Sequence, residues 1–388
     1  MRARRTARGR GRRVTASAAC LLLAASPAAL SARSAPSAQD RPRPWEAGVR
    51  IGDLSPGAHD AITDVPGVLV GHATLAEDDS LNTGVTAVLP HGGDLFRERV
   101  RAAIVVGNGY GKLVGLSQVQ ELGELETPIL LTGTLSVFRA ADALIDTLLV
   151  TPGNEEIRSI NPVVGETNDG YLSDIRARPI EPEHVRAALR AARSGPVAEG
   201  AVGAGRGTRA LGFKGGIGTA SRVVDVQDES WTVGVLVQTN FGGSLIVDGV
   251  PVGERLAAEA AAARAEPHDA RGGGSVMIVI ATDAPLDHRQ LERLAERSFG
   301  GLARTGASLS HGSGDYAIAF SVERAAVRLP GGGGLSRLFV AARDATEEAI
   351  VASLFAAVTV VGHLGTAEAL PVSRTLELLE RAGVLAVD

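Results

Sequence analysis

The stretch Thr232-Val233-Gly234-Val235-Leu236-Val237-Gln238-Thr239-Asn240-Phe241-Gly242-Gly243-Ser244 is the most informative part of this sequence. Its first seven residues are mostly β-branched or apolar, the composition of a buried strand. The run ends in two glycines, which admit backbone conformations closed to other residues. A serine directly after them is placed to attack its own preceding carbonyl. An N→O acyl shift and hydrolysis would cut the chain at Gly243–Ser244 and leave Ser244 as a new N-terminus. Its α-amine, with an ordinary pKa of about 7.7–8.0, would be partly neutral near pH 7. It could then act as the base for its own hydroxyl, with no histidine required. Taken alone, the same stretch also fits an ordinary strand-ending turn.

On both sides of this stretch strands and helices are mixed. Val65–His72 is a turn feeding a strand, and Gly84–Leu89, Ala103–Val106, Ser275–Ile280, Tyr316–Phe320 and Leu338–Ala342 are short apolar runs expected to be strands. Helical spacing is expected over Ala140–Leu149, Pro182–Arg193, Glu254–Glu266, Leu286–Phe299, Thr346–Val358 and Val372–Ala382. Gly300-Gly301 is expected to stop the fourth of these, and Gly331–Gly334 reads as a loop. No repeat is present. Residues 51–388 read as one α+β domain with layered sheets and helices outside.

The 388 residues are 45% hydrophobic and 21% charged, which rules out a mainly disordered chain. Residues 1–38 hold eight Arg and no acid, and the remainder carries 31 basic and 44 acidic residues, a net charge of −13. An acidic chain of this kind is a poor candidate for binding nucleic acid or an anionic membrane. Seven Arg within the first 13 residues, the apolar run Ala16–Leu30, then small residues and Pro to Ala38 have the layout of a secretory signal peptide. Export by the general or the twin-arginine route, to a periplasm or beyond the cell, is therefore expected. Residues 39–50, with Arg41-Pro42-Arg43-Pro44, read as an extended linker. Cys20 is the only cysteine and lies inside the signal, so the mature chain is expected to have no disulfide and no cysteine nucleophile.

The common catalytic motifs HExxH and GxSxG are absent, and the eight histidines are scattered without metal-ligand spacing. Gly203–Gly207 lacks the spacing of a phosphate-binding loop. These absences leave the serine after Gly242-Gly243 as the main candidate for chemistry.

Six segments, in order, strengthen it: Ile62–His72 (ITDVPGVLVGH), Thr83–Pro90 (TGVTAVLP), Pro162–Leu172 (PVVGETNDGYL), Phe213–Arg222 (FKGGIGTASR), Gly249–Gly253 (GVPVG) and Ala281–Pro285 (ATDAP). With them the chain resembles the L-aminopeptidase/D-esterase family, autoprocessed serine hydrolases that include β-peptidyl aminopeptidases. The resemblance runs from about Gly52 to the C-terminus. It implies an αββα sandwich similar to N-terminal-nucleophile hydrolases and ornithine acetyltransferases. It also implies cleavage into two subunits, 51–243 and 244–388, that stay together, often within a homo-oligomer. The implied reaction is release of N-terminal residues from short peptides, amides or esters bearing a free amine, with no metal or organic cofactor.

On this resemblance Ser244 matches the nucleophile, with Thr239 the nearest alternative hydroxyl. Thr282 and Asp283, 38–39 residues later, match a hydroxyl and a carboxylate that hydrogen-bond around it; the carboxylate falls at Asp283 or one place on, at Ala284. They equally fit a strand-ending turn. Oxyanion donors would be Asn240 and the Gly215-Gly216 backbone. Lys214, one of only two lysines beside 37 Arg, offers a compact charge or a surface one. Glu126 and Glu166 could hold the substrate ammonium or be ordinary turn charges. Two segments depart from the family pattern: Asn108-Gly109-Tyr110-Gly111-Lys112, where relatives carry an acid in place of Lys112, and Thr134-Leu135-Ser136-Val137, where they carry a histidine in place of Leu135. Both are expected on the substrate side. An acyltransferase on the same fold, and an unprocessed binding protein, are the alternative functions.

Overall fold

A computed structural model describes residues 41–262, 274–324 and 333–386. The expected signal segment 1–38 lies outside the described residues. In chain order the strands are β1 (Leu69–Glu77), β2 (Leu81–Leu89), β3 (Val100–Gly109), β4 (Leu113–Val114), β5 (Glu124–Leu125), β6 (Ile129–Gly133), β7 (Val163–Thr167), β8 (Arg209–Ala210), β9 (Phe213–Lys214), β10 (Ile217–Val226), β11 (Glu229–Asn240), β12 (Ser275–Thr282), β13 (Gly314–Ser321), β14 (Val360–Gly362) and β15 (Gly365–Ala367). The helices are α1 (Leu116–Leu122), α2 (Val137–Leu149), α3 (Pro182–Arg190), α4 (Val252–Ala262), α5 (His288–Arg304), α6 (Gly334–Ala356) and α7 (Val372–Ala382).

Two sheets form the frame. One has the order β1-β2-β6-β7-β4, the other β10-β11-β12-β13-β3-β5. Side chains alternate across each strand, and β12 shows what that alternation does. Met277, Val279 and Ala281 enter the cluster shared with Ile129, Leu131 and Val163 of the first sheet. Val276, Ile278 and Ile280 enter the cluster shared with Leu291, Leu294 and Leu302 of α5 and Leu338 to Phe355 of α6. The outer face of the first sheet packs Val85, Leu130 and Val164 on α2 and α3. The order of layers is thus α, β, β, α, as expected. Strands buried on both faces read as continuous apolar runs, which is why the central ones are legible by composition.

Three local expectations change. Leu338–Ala342 is helical, the second turn of α6. A five-residue apolar run has no period of its own, and Leu338, Ala341, Ala342, Ala345 and Ala349 together form the buried helical face. Gly300-Gly301 does not stop α5, which continues to Arg304. A Cβ on Gly301 would overlap the Arg343 carbonyl oxygen, so this glycine serves the close approach of α5 to α6. Residues 41–50 are docked rather than extended free chain. The Arg43 guanidinium donates to Glu199 at 2.9 Å and to the carbonyls of His59, Asp60 and Thr219 at 2.8 Å, and Val49 bridges to Leu385.

Candidate active site

The strand at the centre of the second sheet, β12, opens with a serine. Ser275 is preceded by Gly272-Gly273-Gly274, so the sequence holds a second Gly-Gly-Ser besides 242–244. Residue 275 pairs with Asn240 across the antiparallel β11 and with Gly314 across the parallel β13. Its side chain shares the parity of Met277 and points between the sheets. The Gly314 N–H donates both to Ser275 Oγ and to the Gly274 carbonyl oxygen, each at 3.2 Å. One backbone donor therefore spans the hydroxyl and the carbonyl immediately before it.

Glycines on both strands make this approach possible. A Cβ on Gly314 would lie 3.3 Å from Ser275 Oγ and 2.6 Å from Gly111 Cα. A Cβ on Gly111 would lie 3.1 Å from Gly314 Cα and 3.3 Å from Glu166 Oε1. Ser275, Gly314, Gly111 and Glu166 thus follow one another across the site.

On either side of Gly314 stand Ser313 and Asp315. Ser313 Oγ donates to Asp315 Oδ2 at 2.7 Å, and both residues are buried. Burial raises the Asp315 carboxyl above its ordinary range, and the Ser313 hydrogen bond opposes the shift. Together with Phe241, Gly274 and Ser308 they line a small recess of about 10 Å³. Asn108 Nδ2 donates to the Ser313 carbonyl at 2.5 Å, and Tyr110 N–H to the same oxygen at 3.2 Å, tying the end of β3 to this turn. Ser313 and Asp315 stand 38 and 40 residues after Ser275. That matches the spacing expected for the hydroxyl and carboxylate, but counted from the second Gly-Gly-Ser.

The residues picked from sequence fall in different places. Ser244 is exposed, four residues beyond β11; its N–H donates to Gly306 O at 3.1 Å, and its hydroxyl makes no hydrogen bond among the described residues. Gly243, at φ +139°, bridges to Ala307, so the expected strained glycine is present, in a turn that links β11 to the end of α5. Thr239 is buried and donates to the Gly216 carbonyl at 3.2 Å.

Thr282 and Asp283 lie at the far end of β12 from Ser275, about 23 Å along the strand at its usual rise. They are also at the far end from Ser244, because β11 runs antiparallel and Thr282 pairs with Val233. Thr282 Oγ1 donates to Thr232 O at 2.8 Å, and Asp283 accepts from Thr232 N–H at 2.7 Å. They form the strand-ending turn, the other reading left open above.

Asn240 faces Ser275 in register, but its amide is engaged: Nδ2 donates to Asn168 O at 2.9 Å and Oδ1 accepts from Arg209 N–H at 3.1 Å. Lys214 is fully buried. Its ammonium donates to the carbonyls of Gly205 at 2.8 Å and Gly215 at 2.6 Å, and burial, then Arg206, holds its pKa well below the ordinary lysine value. It pins the glycine loops rather than projecting a charge. Gly216 N–H donates to Thr239 Oγ1 at 3.0 Å, so this backbone supports β11. Glu126 accepts from Asn161 at 2.7 and 2.9 Å and pairs with Arg99 at 3.1 Å, away from Ser275 and its neighbours.

Glu166 is the sequence-predicted group that the structure does bring to Ser275. It is buried, accepts from Lys112 N–H at 3.0 Å and from the Thr134 hydroxyl, and faces the Lys112 ammonium at 3.7 Å. Both departing segments, at Lys112 and Thr134, therefore meet on one carboxylate. The sequence reading did not single out Ser275, Ser313 or Asp315. The available signal was a triglycine before a serine that opens a wholly apolar strand, with a Ser-Gly-Asp opening a second strand.

Comparison with known proteins agrees with this architecture. Residues 60–367 match peptidase family S58. The chain is 42% identical over 371 residues to the beta-peptidyl aminopeptidase BapA of Sphingosinicella microcystinivorans, covering 88% of this chain and 92% of that one. The crystal structure of the PH0078 protein from Pyrococcus horikoshii OT3 superimposes with a TM-score of 0.81 at 44% identity, over 88% of this chain and 99% of that one. The L-aminopeptidase D-Ala-esterase/amidase from Ochrobactrum anthropi, described as a prototype for the serine aminopeptidases and a variant of the Ntn hydrolase fold, gives 0.79 at 34% identity, over 89% and 100%. The match over most of its length, on the αββα frame derived above, makes this chain a member of peptidase family S58 and a serine aminopeptidase.

Proposed function

We propose that Ser275, not Ser244, is the nucleophile, and that the chain cleaves itself at Gly274–Ser275. The observation that supports this reading is the Gly314 N–H, shared between Ser275 Oγ and the Gly274 carbonyl. Ser275 Oγ attacks the Gly274 carbonyl carbon while Gly314 N–H stabilises the charge that develops on its oxygen. The C–N bond breaks as the C–O ester forms, the nitrogen takes up a proton, and water hydrolyses the ester. Gly274 ends one subunit as a carboxylate, and Ser275 opens the other with a free amine.

That amine has Ser313 and Asp315 as polar neighbours in the recess beside Gly274. It then serves as the base for the Ser275 hydroxyl in each turnover. Substrate acyl carbon accepts Ser275 Oγ, the amine or alcohol leaves with a proton, and water releases the acid. Glu166 holds the substrate's N-terminal ammonium on the far side of Gly111, which restricts action to the first residue of a chain.

Substrates in this reading are short peptides, amides and esters with a free amine, with β-linked acyl groups favoured by the similarity to BapA. No metal or organic cofactor takes part. Export through the segment 1–38 and assembly into a homo-oligomer of processed subunits belong to the same proposal. Intact-mass spectrometry of the purified protein tests it. A fragment 275–388 is expected in the parent and in Ser244→Ala, and a single uncleaved, inactive chain in Ser275→Ala. A fragment beginning at Ser244, or normal processing of Ser275→Ala, would overturn the assignment.

A further inference from the structure

The substrate side of Ser275 carries two charges of opposite sign, and only one of them is explained by holding an amine. Glu166 is buried, and both its oxygens are engaged by the chain itself: Oε1 accepts from Lys112 N–H and Oε2 from the Thr134 hydroxyl. It is a fixed negative charge. The Lys112 ammonium lies 3.7 Å from Oε1, too far for a hydrogen bond, and its side chain is 43% exposed. Its three N–H groups make no hydrogen bond among the described residues. The group that this ammonium faces, Glu166 Oε1, lies 3.3 Å from where a Cβ on Gly111 would sit, and Gly111 adjoins Gly314, which reaches Ser275.

A ligand with an ammonium alone would meet a carboxylate that already faces the Lys112 ammonium. A ligand with an ammonium and a carboxylate on the same carbon meets a complementary pair, ammonium to Glu166 and carboxylate to Lys112. Two such pairs side by side remove the repulsion that each single charge would feel. In an ordinary α-peptide the carboxyl group of the first residue is spent in the scissile bond. It survives only when the acyl group comes from a side chain, as in a β-aspartyl residue, which is a β-amino acyl group bearing a carboxylate.

We infer that Lys112 is a specificity-determining residue and that the preferred substrates are peptides with an N-terminal β-aspartyl residue, its free carboxylate bound by the Lys112 ammonium beside the Glu166–ammonium pair. This rests on the Ser275 reading above. The acyl transfer is the one already described; Lys112 takes no part in bond making.

The test compares two chromogenic amides that differ by one group: L-aspartate β-(p-nitroanilide), and β-alanine p-nitroanilide, which lacks the carboxylate. The processed wild-type enzyme is expected to favour the aspartyl compound in kcat/KM by about two- to fivefold, a modest factor because Lys112 is partly exposed. Lys112→Met keeps the length and removes the charge. It is expected to reverse the preference, losing the aspartyl compound and gaining on β-alanine as Glu166 is released. Lys112→Arg is expected to restore the wild-type order. A wild-type preference for β-alanine p-nitroanilide, or equal losses on both compounds in Lys112→Met, overturns the role of Lys112. Hydrolysis of either compound by the wild type and its absence in Ser275→Ala reports on the nucleophile separately, so the two readings fail independently.

Discussion

Gly314→Ala perturbs the site at its narrowest point. A Cβ at this position would come 2.6 Å from Gly111 Cα and 2.7 Å from Gly111 N, inside the distance that carbon keeps from backbone atoms. Neither neighbour is a flexible side chain, so β13 and the turn after β3 must move apart. The N–H that reaches both Gly274 O and Ser275 Oγ moves with them. Overpacking of this kind costs about 1–3 kcal/mol of stability, a few degrees in melting temperature. Loss of one oxyanion donor costs about 10²–10³ in rate. Self-cleavage, followed by intact mass over time after expression, is expected to slow at least ~100-fold, and kcat of the processed fraction to fall similarly. Gly312→Ala is the control, because no heavy atom lies within 4 Å of a Cβ there; it should stay within about twofold of the parent on both readouts. Wild-type processing and turnover in a folded Gly314→Ala, or equal loss in both variants, would refute the place given to Gly314.

Thr282→Ala removes the hydrogen bond to Thr232 O at the far end of β12; it is expected to lower stability by about 1 kcal/mol in a denaturant titration while leaving processing and kcat unchanged. Burial raises the Asp169 carboxyl to about 6, with the Thr83 hydroxyl opposing, so the folded chain holds this proton more tightly than the unfolded one. Its contribution to stability is full below about pH 4 and is lost as the pH rises through about 6. Asp169→Asn is therefore expected to match the parent's melting temperature near pH 4.5 and to exceed it at pH 7.5; a lower value at pH 7.5 would contradict this sign. Gly301→Ala drives a methyl group into the Arg343 carbonyl and should cost about 1–3 kcal/mol by forcing α5 from α6, read as a lower melting temperature with unchanged cleavage.

Much of the frame is legible because burial on both faces leaves its mark on composition. Val233–Val237, Val276–Ala281 and Ala317–Phe320 are apolar without interruption and are strands in the structure. The amphipathic helices α3, α5 and α7 announce themselves by their spacing. Where legibility ended, the cause was local ambiguity. Leu338–Ala342 has the composition of a strand, and only its continuation through Ala345 and Ala349 against β10 and β11 makes it a helix. Gly301 looks like a terminator because the carbonyl it accommodates belongs to another helix.

The sequence by itself determined the αββα layering, the kinship and the class of enzyme, a serine aminopeptidase, and it suggested where to look for the chemistry: a serine after glycines, with a hydroxyl and a carboxylate some 40 residues on. Read alone it pointed to Ser244 after Gly242-Gly243, and it left Glu126 and Glu166 both open as holders of the amine. Only the tertiary structure sets the two serines apart, because the backbone donor that faces a hydroxyl and the carbonyl before it comes from a strand distant in the chain. Gly314 lies 39 residues from Ser275 and reaches it only through the parallel pairing of β12 with β13. Ser244 has the same local spelling, but it sits on an exposed turn, where its hydroxyl makes no hydrogen bond among the described residues.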